Sequence, residues 1–84
     1  MPIEKGSVVR SKAGHDSNRF YLVLSVEGDF AYIADGAVRK LEHPKKKRMK
    51  HLAPTNTVLS VEELTTNKLV KEALTQFNAE RQSL

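Results

Sequence analysis

Cysteine is absent from this 84-residue chain, and so is tryptophan. Without a thiol there is no disulfide framework, no thiolate metal site and no cysteine nucleophile. The absence fits a reducing compartment. Glycine occurs four times, at scattered positions, so no glycine-rich phosphate cradle of the nucleotide-hydrolase type can be assembled. No apolar run approaches the roughly 20 residues that cross a bilayer. The first six residues, Met1 to Gly6, lack the apolar centre of a secretion signal. These absences lead to the expectation of one soluble, cytoplasmic domain. Its core should be small, because a chain of this size buries only about 60% of the surface it exposes when unfolded.

Catalytic constellations are scarce too. Histidine, aspartate and serine adjoin one another only at His15-Asp16-Ser17, where sequence neighbours do not converge as a triad does. His43 and His51 lack further metal ligands at close spacing. The expectation is therefore a protein that is no enzyme, with no cofactor, no metal and no small-molecule substrate.

What the chain does have is positive charge, concentrated in one place. The formal net charge is +4. Between Arg39 and His51 stand seven Lys or Arg and one acid, Glu42, whereas the segments on either side each carry one more acid than base. Such asymmetry implies a polyanionic partner. At its centre, Pro44-Lys45-Lys46-Lys47-Arg48 resembles an import tag, but Met49 and Leu52 after it and the apolar stretch before Arg39 tie both ends to the fold. No basic amphipathic helix or lipidation signal points to a membrane.

Hydropathy patterning predicts mostly strands. Ser7–Lys12 reads as a short strand, and Ala13–Asn18 as a turn rich in Gly, Asp, Ser and Asn. Phe20–Val26 is aromatic, branched and nearly continuous, which predicts a strand packed on both faces. Gly28-Asp29 predicts a tight hairpin turn into Phe30–Ala34. Asp35-Gly36 predicts a further turn, leading into a weaker strand at Val38–Leu41. Pro54 is expected to interrupt any strand, with Val58-Leu59 a last brief strand or an apolar anchor. Ser60-Val61-Glu62-Glu63 fits a capping box. After a short turn at 61–64, a helix is expected from Asn67 to Gln82, with Val70, Ala73, Leu74 and Phe77 on one apolar face. Of five aromatic residues, most should be buried, with Tyr21 and Tyr32 the two expected to keep an edge in water.

The segment from Val8 to Val26 resembles a KOW motif, as found in archaeal and eukaryotic large-subunit ribosomal proteins. Gly14, Asp16, Asn18 and Arg19 match the motif between its two strands, and Asp35-Gly36 matches the turn that closes the next strand. Asn18 departs from the pattern, which prefers glycine there. Asparagine tolerates the left-handed conformation that such a position demands. The chain as a whole is similar to small bacterial KOW-domain RNA-binding proteins. That resemblance covers about residues 4–56 and implies a small Src-homology-3-type β-barrel over residues 1–56. The C-terminal α-helical extension over 57–84 lies outside it, and its apolar face predicts that it packs on the barrel, giving a mainly β fold overall. The resemblance also implies binding to RNA, often ribosomal RNA, or to the translation and transcription machinery, and so association with the ribosome. Structured RNA is expected over a sequence-specific single strand, because the signal in the sequence is charge and shape rather than exposed rings.

The expected RNA-binding residues are Arg39, Lys40, Lys45, Lys46, Lys47, Arg48 and Lys50, with Lys12, Gly14, His15 and Arg19 from the loop between the first two strands. The cations neutralise phosphates and release counterions, which gives affinity with little sequence choice. The alternative is a protein-interaction adaptor that meets ribosomal or transcription proteins along a groove or open sheet edge.

Overall fold

Phe20 to Glu27 forms the longest strand. In the computed structural model, which describes residues 2–12 and 18–82 (the last four by backbone alone), it is β2. The other strands are β1 (Ser7–Ser11), β3 (Phe30–Ala34), β4 (Lys45–Arg48) and β5 (Leu52–Val58). Helix α1 spans Asn67–Gln82, and short 3-10 turns cover Met49–His51 and Val61–Glu63. The five strands make one antiparallel sheet in the order β4-β3-β2-β1-β5. The sheet is not closed into a barrel: β4 and β5 are its two edges. One 3-10 turn nevertheless joins those edge strands, and three residues of 3-10 helix rise only about 6 Å. The sheet is therefore curled.

Curling gives the sheet an inner face. Val9, Tyr21, Val23, Ala31, Ile33 and Leu52 pack there, with Ile3 and Met49 against them. On the other face, Val8 and Leu22 pack with Val70 and Leu74 of α1, flanked by Phe20, Leu24 and Phe77. The rings of Phe20 and Phe77 lie 5.5 Å apart. Tyr21, Leu22 and Val23 are all buried, so β2 is covered on both sides, as its unbroken apolar run predicts. Tyr21, 1% exposed, does not keep the wet edge expected of it, because its odd position in β2 aims it at the inner core beside Val9.

Between Val23 and Ser25 the pairing of β2 with β3 slips by one residue. Up to this bulge Phe20, Leu22 and Leu24 face the helix. Beyond it Ser25 and Glu27 take that face, opposite Tyr32 and Phe30. The hairpin closes on Gly28, at φ 57°, and Asp29, since Glu27 pairs with Phe30. Positive φ at the first central residue is what this two-residue turn requires, and glycine adopts it without strain.

Two further expectations are corrected here. Val38–Leu41 is not a strand but part of a bend and turn. Asp35 captures its backbone: Oδ1 accepts from the amides of Ala37 (2.9 Å) and Arg39 (2.8 Å). The Leu41 amide donates to Asn67 Oδ1 at 2.8 Å, so these groups are unavailable to a ladder. Pro54 does not end a strand. It lies within β5, opposite Val9, on a sheet edge where a missing N–H is tolerated. The β1–β5 register shifts at that point, and Thr55 Oγ1 donates to the Val8 carbonyl at 2.7 Å. Thr55→Val keeps the shape and removes that donor. The expected loss is about 1–2 kcal/mol of unfolding free energy, measured by denaturant titration with an unchanged slope.

The capping box at Ser60 does not form. Glu63 reaches Ser60 only through its backbone amide, to the Ser60 carbonyl at 3.1 Å. Helix α1 is instead capped by Thr66, whose Oγ1 accepts from the Leu69 amide at 3.2 Å. The helix bounds, Asn67 to Gln82, are those its periodicity predicts.

Two exposed carboxyls titrate below their ordinary value of 4.5. Glu42 is held down chiefly by the hydrogen bond from the Asn67 side-chain amide, and Glu62 chiefly by the one from the Lys5 ammonium. Both favour the charged form in the folded state. Their stabilisation is therefore full above about pH 4.5 and is lost as pH falls through the lowered values. Glu42→Gln should lose less melting temperature than the parent between about pH 5.5 and pH 3, by a small margin because solvent screens the site.

Candidate nucleic-acid interface

Lys45–Arg48, the centre of the basic run, is a hydrogen-bonded edge strand. Lysine has little intrinsic preference for strands. Here the ladder to β3 imposes the conformation, pairing Phe30 with Arg48, Ala31 with Lys47, Tyr32 with Lys46 and Ile33 with Lys45. A cationic edge also discourages pairing with another copy of the chain.

Because side chains alternate along a strand, the run is divided between two faces. Lys46 and Arg48 are exposed and share a face with Tyr32 and Phe30. Lys45 and Lys47 share the other with Ile33 and Ala31, and are half-buried. The Lys46 ammonium lies 4.5 Å from the Phe30 ring centre and 6.0 Å from that of Tyr32. The Arg48 guanidinium lies 4.9 Å from the Phe30 ring centre. These are cation–π distances. The Tyr32 hydroxyl donates to Glu27 Oε1 at 3.2 Å, and the same oxygen lies 3.9 Å from the Lys46 nitrogen.

Lys50 sits in the 3-10 turn that continues β4. The amide of Lys12, at the end of β1, donates to the carbonyl of His51 in that turn at 2.8 Å. The backbones at Lys12 and at the end of the basic run are thus adjacent. A cleft of about 380 Å³ opens where this turn meets the β2–β3 hairpin, lined by Asp29, Arg48, Met49 and Lys50. The Met49 amide, donating to the Asp29 carbonyl at 2.9 Å, holds the two walls together.

The remaining predicted residues lie elsewhere. Arg39 and Lys40 belong to the connection between β3 and β4, and the Arg39 Nε is buried without a hydrogen-bond partner. Arg19, just before β2, places a guanidinium nitrogen 3.6 Å from Asp35 Oδ2. Asp35 is 3% exposed. Its carboxylate organises the β3–β4 connection, so Arg19 has a structural partner as well as a phosphate-binding expectation. Gly14 and His15 lie outside the described residues. Asn18 adopts φ 69°, in the left-handed region, and its Oδ1 accepts from the Arg10 guanidinium at 2.9 Å.

Sequence reasoning undervalued Phe30. Its signal was present in the alternation Phe30-Ala31-Tyr32-Ile33, which puts the two rings on one face of β3 and the two aliphatic residues on the other. No described helix is long and apolar enough to cross a membrane. No protein-family model and no curated protein sequence matches the chain. Fold and surface together define a small antiparallel β-sheet protein with a C-terminal helix and a cation-bearing edge strand.

Proposed function

We propose that this protein is a non-enzymatic RNA-binding module of the KOW type, its curled sheet corresponding to the Src-homology-3-type barrel, and that it associates with ribosomal RNA or the ribosome. The observation that carries the RNA reading is the basic run folded as a paired edge strand. Cations held on a ladder lose less conformational freedom on meeting phosphates than cations on a loose tail. The KOW assignment is supported by the motif between β1 and β2 and by the left-handed Asn18. The ribosomal assignment derives from the resemblance alone.

Salt dependence tests the reading. If about five cations engage phosphates of a duplex region, the slope of log affinity against log salt is roughly −4 to −5. Affinity for a structured RNA should then fall steeply between about 50 and 200 mM salt. A flat response would favour the adaptor reading, for which the open edge of β5 is the natural docking line.

A further inference from the structure

We propose that the face shared by Phe30, Tyr32, Lys46 and Arg48 is a stacking platform for unpaired nucleobases, so that the protein prefers single-stranded or loop RNA to duplex. This deepens the RNA-binding reading and rests on it.

Phe30 and Tyr32 project from β3 onto the face that α1 covers, but outside the area the helix reaches. Neither ring belongs to the two described apolar cores. Both are only partly buried, and what lies over them is cationic: Lys46 on both rings, Arg48 on Phe30. An aromatic surface dressed with ammonium and guanidinium groups offers a nucleotide both of the things it needs. The rings and the guanidinium plane receive a base, and the charges receive its phosphates. Lys46 and Arg48 stand two residues apart, about 7 Å along the strand. Lys50 and the cleft beside Met49 continue the cationic path beyond Arg48. Paired bases hide their faces within the stack, so a duplex can use the charges but not the rings. An unpaired strand can use both.

The chain carries its own reporter. It has two tyrosines and no tryptophan, and Tyr21 is buried at 1% exposure. A base that stacks on the platform therefore quenches the emission of Tyr32 alone. The experiment titrates the full chain with an oligouridylate, with an abasic ribose-phosphate strand of the same length, and with a duplex carrying the same number of phosphates. Stacking predicts quenching by the oligouridylate, no quenching by the abasic strand, and loss of the quench in Tyr32→Phe, which keeps the ring but not the reporter. Phe30→Leu should weaken oligouridylate binding about five- to a hundredfold and duplex binding by less than about twofold. Equal affinity for the oligouridylate and the abasic strand, without quenching, would overturn the platform while leaving phosphate binding intact. Failure of all three polymers to bind would overturn both readings.

Discussion

With Lys45, Lys46, Lys47 and Arg48 all replaced by glutamine, affinity for RNA falls by roughly two to three orders of magnitude at about 0.15 M salt. Each phosphate contact scales affinity with salt to the power of about −0.9, so losing four contacts removes most of the slope along with most of the affinity. Glutamine keeps a long polar side chain, and the ladder between β3 and β4 uses backbone groups, so the edge strand should survive. Fluorescence anisotropy with a labelled RNA at several salt concentrations gives both quantities, and circular dichroism confirms the fold. The matching control neutralises Lys68 and Lys71 on α1, which belong to a different element, and should change affinity by less than about twofold. Were the β4 variant to bind with unchanged affinity and slope, the interface would have to be sought elsewhere on the molecule.

The largest expected effect on stability comes from a single methyl group. Gly36, at φ 80°, lies where the β3–β4 connection meets the first turn of α1. A Cβ there would collide with the Asn67 carbonyl and come within 2.8 Å of the Lys71 amide nitrogen. Both obstacles are helix backbone, which cannot swing aside as a flexible side chain can. Gly36→Ala must strain its own backbone or push α1 off the sheet, uncovering Val70 and Leu74. The expected cost is about 3 kcal/mol or more. At roughly 4–8 °C per kcal/mol for a domain of this size, the melting temperature drops by at least ~12 °C. Gly28 supplies the control. It too has a positive φ, but its Cβ would meet nothing within 4 Å. Gly28→Ala should therefore cost only about 1 kcal/mol. If the two alanine variants melt together, the close approach of helix and connection is not what Gly36 secures.

Where local chemistry decided the structure, the sequence was readable. The helix bounds follow from apolar spacing, and the hairpin at Gly28-Asp29 from turn chemistry. The double burial of Tyr21, Leu22 and Val23 follows from an unbroken apolar run. The misreadings share a cause. Val38–Leu41 has strand-like residues, yet its backbone groups are claimed by Asp35 and by Asn67, the latter 26 residues distant from Leu41 in sequence. Lys45–Arg48, for which the pattern predicted no element, has poor strand propensity, yet β3 recruits it. Pro54 reads as a breaker, and only its place on an edge makes it harmless. For the interface, the basic run was visible as charge. Its division between two faces was not, because that depends on a register no single segment encodes. Nor was Arg19's attachment to Asp35, since it needs the start of β2 and the end of β3 side by side.

The bulge at Leu24 acts as a partition. Were the same residues paired without the bulge, the alternation would run on undisturbed, and Val26 would join Phe20, Leu22 and Leu24 as one uninterrupted oily strip beneath the helix. The extra residue exchanges the two sides midway, so the strip stops at Leu24 and the carboxylate of Glu27 arrives beside Tyr32 and Lys46. One surface is thereby divided in two, an oily end for the chain's own helix and a charged, aromatic end left to the proposed nucleobase platform, without competition between them.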